Sequence, residues 1–239
     1  MANFPNMVFL ACALSGAPLV GCGLVDSDIA DFSLTLPEKD VRIDSAQWQL
    51  TEDATLPEVS CAGNQTVCAL AAETVCQSSD EAQCFAACEP TPETCMFTIA
   101  FSLWNTIELD KEAPELESIN GAPIGRVTVS RIFYRVSENS FSTDAPPLTV
   151  AVAPQGVTIV GDPQARVVGT IAPIPAGQSV ESMDVEFTED GLDHLRDVLR
   201  DYTTPFNLIV GGEVELSAGD DIPTGRLTAV VQVEATAGL

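Results

Sequence analysis

The run Arg226-Leu227-Thr228-Ala229-Val230-Val231-Gln232-Val233-Glu234-Ala235 decides the fold class. Leu227, Ala229, Val231, Val233 and Ala235 take every second position, with Arg226, Thr228, Gln232 and Glu234 between them. Successive strand side chains point to opposite faces, so this alternation describes a strand with one face in a core and one in water. The segment before it repeats the pattern. Phe206, Leu208, Val210, Val214 and Leu216 share one face, and Gly211-Gly212 marks a bulge or a close backbone approach. Ile222-Pro223-Thr224-Gly225 has turn chemistry, so the two strands are expected to pair as a hairpin with polar and apolar faces.

The same period runs back through the chain. Phe32 to Leu36 alternates, and Val41 and Ile43 continue it until the phase shifts to Ala46, Trp48 and Leu50, which suggests a bulge or a move between sheets. Met96 to Trp104 is nearly continuous in apolar character, as expected of a central strand covered on both faces. Residues 110 to 125, rich in Pro, Glu and Gly, read as a loop. Arg126 to Val136 is a strand that changes phase, from Val127 and Val129 to Ile132, Tyr134 and Val136. Short strands are expected at Leu148 to Val152, Val157 to Val160, Val167 to Ala172 and Met183 to Phe187, separated by Pro and Gly in the rhythm of a β-sandwich. Thr188 occupies an N-cap position ahead of Glu189 and Asp190, and Leu192, Leu195, Val198, Leu199 and Tyr202 follow at helical spacing. Residues 189 to 201 are therefore expected to form an amphipathic helix that packs on a sheet. The expectation is a mainly β protein: an antiparallel β-sandwich over residues 32–239, with this C-terminal amphipathic helix and a small disulfide-rich helical insertion at 61–95.

The insertion has its own composition. Cys61, Cys68, Cys76, Cys84, Cys88 and Cys95 are separated by Ala, Glu, Gln and Thr. Residues 64 to 76 are good helix formers, and Ser78-Ser79-Asp80-Glu81 matches a capping box, so two short helices are expected, with Cys84 and Cys88 on one face of the second. Zinc is the competitor for so many thiols, but only Cys84 and Cys88 approach the spacing of a ligand pair. No C-x-x-C redox motif is present. An even set in an oxidising compartment reads as three disulfides, for which fifteen connectivities exist. If the helices form an antiparallel hairpin, a nested set follows: Cys68–Cys88, Cys76–Cys84 and Cys61–Cys95. No metal and no cofactor is expected.

Residues 7 to 20, MVFLACALSGAPLV, are too few to span a bilayer as a helix and have the length of a signal-peptide apolar core. No Lys or Arg precedes them. Leu19-Val20-Gly21-Cys22 then resembles the lipobox of bacterial lipoproteins. The resemblance implies that residues 1–21 are a signal peptide and that Cys22 becomes the first mature residue, carrying a thioether-linked diacylglycerol that anchors the chain to a membrane. Residues 22–31 would be the tether. Gly23 after the lipidated cysteine is compatible with sorting to the outer membrane of the cell envelope.

The formal charge is -25, from 35 acidic and 10 basic residues. Such a surface repels phosphate backbones, so nucleic acid is not an expected partner. Disorder does not follow, because 46% of residues are hydrophobic. Arg126, Arg131 and Arg135 make up three of the basic residues on one expected strand. They form either a ligand-facing strip or a set of partners for neighbouring acids. His194, with Asp190 and Asp197 one turn to either side, could serve as a base or metal ligand, and Asp220-Asp221 as a calcium corner; a solvated helix face and a solvated turn are the simpler readings. No catalytic residue is singled out. The expected role is that of a non-enzymatic envelope lipoprotein that binds or supports an envelope protein or polysaccharide. The alternatives are an envelope hydrolase using a carboxylate pair and a small-ligand or lipid carrier.

Overall fold

The computed structural model describes residues 31–50, 55–79, 81–117, 119 and 121–239. The apolar run, the lipobox with Cys22, and all of the expected tether except Asp31 lie outside the described residues. In chain order the first elements are β1 (Asp31–Thr35), β2 (Lys39–Asp44), α1 (Gln65–Val75), β3 (Ala82–Cys88), β4 (Cys95–Ile107), α2 (Leu109–Glu112) and α3 (Pro114–Glu117). There follow β5 (Arg126–Asn139), β6 (Leu148–Pro154), β7 (Arg166–Ile171), β8 (Val180–Asp184), β9 (Glu186–Phe187), α4 (Glu189–Arg200), β10 (Phe206–Leu216) and β11 (Arg226–Gly238). Residues 110 to 125 thus contain the short helices α2 and α3 rather than loop alone.

Two antiparallel sheets face each other. In sheet I, β11 is central: β1 and β2 pair end to end along one side of it, β5 lies on the other, and β8 follows β5. Sheet II has the order β3-β4-β10-β6-β7-β9. The expected hairpin of the last two strands does not form, because β10 pairs with β4 and β6, and β11 with β1, β2 and β5. Their apolar faces meet across the interior instead. Phe206, Leu208, Val210 and Leu216 come from one side and Leu227, Ala229, Val231 and Val233 from the other, all buried in one core cluster. Residues 217–225 cross between the sheets. Gly225 permits that crossing: its φ is +112°, and a Cβ there would lie 2.2 Å from the Ser140 carbonyl oxygen. The chain crosses again at Val185, which is buried and donates to the Ile132 carbonyl (2.9 Å) as β8 of sheet I gives way to β9 of sheet II.

Phase shifts in the sequence have two physical origins. Within β5 the register against β11 slips between Glu234 and Ala235, leaving Ser130 as an extra residue, and again between Thr228 and Ala229, leaving Ser137. Ser130 Oγ fills the gap by donating to the Glu234 carbonyl (2.9 Å) and Ser137 Oγ does so to Thr228 (3.4 Å). The first bulge moves Ile132, Tyr134 and Val136 onto the face that Val127 occupied. After β2, however, the shift is a turn: Asp44 caps a single 3-10 turn at Ser45–Trp48 by accepting from the Ala46 amide (3.1 Å). That turn swings Trp48 into the core, where it stacks on Phe101 with ring centroids 5.5 Å apart.

The insertion is half helical. Asn64 caps α1 by accepting from the Thr66 amide (3.1 Å), as the sequence suggests, but the expected second helix is the strand β3, hydrogen-bonded along β4. In that register Cys88 stands opposite Cys95, and the helix lies beside the hairpin rather than continuing it. The disulfides are accordingly Cys61–Cys88, Cys68–Cys95 and Cys76–Cys84. Only Cys76–Cys84 matches the nested set. Cys84 and Cys88 still share a face, because an interval of four keeps parity on a strand as it does on a helix. The bonds pin α1 to β3 and β4, and Cys68, Ala72 and Val75 of the helix enter the core.

Sheet II is also covered on part of its outer face. Residues 157 to 160 are not a strand; they belong to a loop in which Val157 and Ala165 bury themselves with Ala151, Ala153 and Ile209. β4 alternates: Phe97, Ile99 and Phe101 are fully buried on its inner face, whereas its outer face is half-buried and ends at Trp104, 37% exposed. Near the other edge of sheet II, Thr188 caps α4 by accepting from the Gly191 amide (3.0 Å), and Leu195 and Leu199 insert into the core as the helical spacing predicts.

Candidate binding surface on sheet II

The arginines of β5 are held by carboxylates from β1, from β8 and from the turn between β1 and β2. Arg126 makes a forked contact with Asp31 (2.8 and 3.0 Å), Arg135 meets Glu38 (2.7 Å), and Arg131 pairs with Asp184 and lies over the Phe133 ring at 4.6 Å. Arg226 of β11 adds a fourth pair with Asp44, whose carboxyl it holds below the usual carboxylate range by hydrogen bonding. Outward positions of sheet I therefore form a lattice of paired charges.

His194 is half-buried on α4 and makes no hydrogen bond to Asp190 or Asp197; Asp197 is paired with Arg200 (3.0 Å). Asp220 closes its own turn by accepting from the Ser217 amide (2.7 Å). The sulfurs of Cys61, Cys68 and Cys88 lie within 4.8 Å of one another, yet each belongs to a disulfide and offers no thiolate.

A different surface has the shape of a site. Phe85, in the middle of β3, points outward from sheet II and is 53% exposed, although a phenyl ring of this size is normally covered. It forms a ridge between two open grooves. One, of ≈ 800 Å³, lies between β3 and α1 and is lined by Gln65, Ala69, Glu73, Gln77 and Ala87. The other, of ≈ 440 Å³, runs over the sheet from Phe85 to Ile159, itself 40% exposed, with Ala100 and Gly211 as its floor and Gln83, Thr149 and Glu213 on its sides. Both volumes fall in the usual range of ligand sites, and no Lys or Arg lines either groove.

The walls are fixed in advance by hydrogen bonds. Asn207, completely buried, donates to the carbonyls of Gln155 and Val157 (2.8 Å each) and accepts from Thr106 Oγ1 (2.8 Å). Farther along the same loop the Val160 amide donates to Ser102 Oγ (3.2 Å). Gly211 allows this seating: a Cβ there would lie 2.8 Å from Val160 Cγ2 and 2.6 Å from the Phe101 carbonyl. The expected close approach at Gly211-Gly212 is thus present, with unbroken register against β4. On the opposite wall, Gln65 from α1 caps the free edge of β3, donating to Ala86 O (2.7 Å) and accepting from the Cys88 amide (2.9 Å). Ser78 and Ser79 hydroxyls take the amides of Cys84 and Ala82 (3.4 and 3.1 Å). These side chains occupy groups through which another strand would add to the sheet, so the edge is closed to β-pairing while the face stays open.

No protein-family model matches the chain, and no curated protein matches it in sequence. A solved structure from Desmodium yellow mottle tymovirus aligns over 100% of this chain and 97% of its own, at 12% identity and a TM-score of 0.22. A likeness of that size carries no argument about fold or function.

Proposed function

We propose that this chain is a lipid-anchored protein of the bacterial envelope, attached through Cys22, whose sandwich binds a partner without transforming it. The observation that carries the binding half is Phe85, more than half exposed between two preformed grooves. With 53% of its surface in water, the ring forgoes roughly half of the 1.5–3 kcal/mol of full burial, about 1–1.5 kcal/mol that a partner covering it would recover. The anchoring half rests on Leu19-Val20-Gly21-Cys22 after an apolar run, and the three disulfides fit an oxidising compartment. A carrier with its ligand between the sheets has less support, because the voids beside Trp48 and beside Val75 measure only ≈ 10 Å³ each, about one water molecule. A hydrolase would require a carboxylate pair converging on a groove, and among the described residues each groove is lined by one acid, Glu213 over the sheet and Glu73 beside α1.

Two measurements on protein from its native cells test the halves separately. Intact mass is expected to show a chain beginning at Cys22 with added acyl groups, and Cys22→Ala to leave the membrane fraction; an unmodified thiol at Cys22 refutes the anchor. A photo-crosslinking residue placed at Phe85 is expected to join the chain to envelope material, whereas the same residue at Thr236 on sheet I is not. Equal yields from both positions refute the surface.

A further inference from the structure

We infer that the groove between Phe85 and Ile159 binds an uncharged glycan chain, an inference that rests on the binding surface proposed above and names its ligand class. The argument is chemical. One side of the groove is an exposed aromatic ring and the other an exposed aliphatic side chain, 53% and 40% accessible. A ligand must present flat apolar patches to both. Between them stand an amide (Gln83), a hydroxyl (Thr149) and a carboxylate (Glu213), groups that donate to or accept from hydroxyls at the rim of such a patch. A pyranose offers that combination, with C–H groups on its faces and hydroxyls around its edge.

Charge narrows the class. Among the described residues the groove is lined by no cation and by one formal charge, the Glu213 carboxylate, and the whole chain carries -25. Phosphorylated ligands, nucleic acids and uronic-acid polymers are therefore repelled. A fatty ligand would need an enclosed apolar cavity, and this groove is an open trough lined by the polar side chains of Gln83, Ser102, Thr149 and Glu213. A peptide strand is disfavoured by the edge of β3, where Gln65, Ser78 and Ser79 already hold backbone groups. The trough is open to solvent, which suits an internal stretch of a polymer better than a free monosaccharide. Its floor needs no rearrangement, since Ala100 and Gly211 leave the sheet surface bare and the Asn207 and Ser102 hydrogen bonds hold the far wall.

The test uses the soluble chain from residue 23 onward with its disulfides formed, titrated with chitohexaose, cellohexaose and hexagalacturonate and followed by amide chemical shifts and calorimetry. At least one neutral hexasaccharide is expected to bind with saturable shifts at Gln83, Thr149 and Ile159, while the anionic one does not bind. Phe85→Ala is expected to weaken that binding at least tenfold and Phe85→Trp to retain it. Trp104→Ala, an exposed aromatic on the same face of β4 but outside the groove, is expected to leave it unchanged. Circular dichroism verifies that each variant is folded. Absence of saturable binding by both neutral hexamers up to 10 mM, or equal affinity for Phe85→Ala, overturns the glycan assignment. A Phe85-dependent protein partner in the crosslinking experiment would then leave the surface standing and its ligand class wrong.

Discussion

Substituting Asn207 tests whether the groove wall is built in advance. Its side chain is completely buried and makes three hydrogen bonds of 2.8 Å, two donated to the 155–157 backbone and one accepted from Thr106. Asn207→Leu keeps the branching and the number of side-chain heavy atoms and removes all three. At roughly 0.5–1.5 kcal/mol net for each bond, plus roughly 1–3 kcal/mol for leaving the buried Val157 carbonyl without a donor, the expected loss is about 5 kcal/mol. Asn207→Asp sharpens the test, because a carboxylate would face two carbonyl oxygens with no proton to give. Burial and those oxygens raise its folded-state pKa above the unfolded value of about 3.9. The added penalty is therefore absent below that value, grows as pH rises through it, and is complete above the folded-state pKa. Urea denaturation of each variant against wild type at pH 3 and pH 7, with amide exchange at Val157 to Ala165, reads both effects. A loss below 1 kcal/mol for Asn207→Leu, or no greater penalty for Asn207→Asp at pH 7 than at pH 3, would refute the view that this one amide seats the loop.

Three further outcomes follow from the geometry. Removing Cys76–Cys84, which closes a separation of 8 residues, is expected to destabilise less than removing Cys61–Cys88 at 27. Loop entropy gives about 2.6 against about 3.6 kcal/mol for paired Cys→Ser variants, and the reverse order in guanidinium titrations contradicts it. Gly225→Ala places a Cβ 2.2 Å from the Ser140 carbonyl at a φ of +112°, so it is expected to lose roughly 3 kcal/mol or more. A wild-type melting temperature for that variant would show that the crossing between sheets can relax. Because Arg226 lowers the Asp44 pKa, the pair stabilises the fold above the unfolded carboxyl value and ceases to do so as pH falls through the folded one. The difference in melting temperature between wild type and Asp44→Asn should accordingly vanish toward pH 2; a constant difference argues against the linkage.

How much of this fold could be read from sequence is visible in β10 and β11. Alternation placed both strands and both buried faces correctly, yet pairing them as a hairpin was wrong. Two successive strands with one apolar face each satisfy that pattern equally well side by side or face to face across a core. The nine residues 217–225 and the positive φ of Gly225 decide for the second arrangement, and neither is encoded in the alternation. The segment Ala82–Cys88 shows a different limit. Its Ala and Gln residues favour helix, and an interval of four between Cys84 and Cys88 fits either geometry, but backbone bonds to β4 and anchoring by two disulfides override that preference. Once the second helix became a strand, two of the three expected disulfides had to change partners.

The proposed binding surface is illegible in the sequence for the same reason. On a helix, Phe85 would be one apolar residue among alanines in a subdomain too small to draw attention. On a strand it shares outward parity with Gln83 and Ala87, so a ring that could have packed inward is directed to solvent by the position of its neighbours. The opposite wall is equally hidden in sequence, since Val157 and Ile159 look like strand residues, and only the buried amide of Asn207, fifty residues downstream, makes them a wall. The arginines of β5 are the converse case: conspicuous in an acidic chain, they are engaged by Asp31 of β1, Asp184 of β8 and Glu38 of the turn between β1 and β2. The charge conspicuous on β5 belongs to paired arginines, whereas the exposed ring is an ordinary phenylalanine whose exposure depends on the secondary structure of seven residues. A Phe85 variant that loses binding while keeping all three disulfides and the β3–β4 register would confirm that dependence, and one that binds normally would move the search back to the charged face of sheet I.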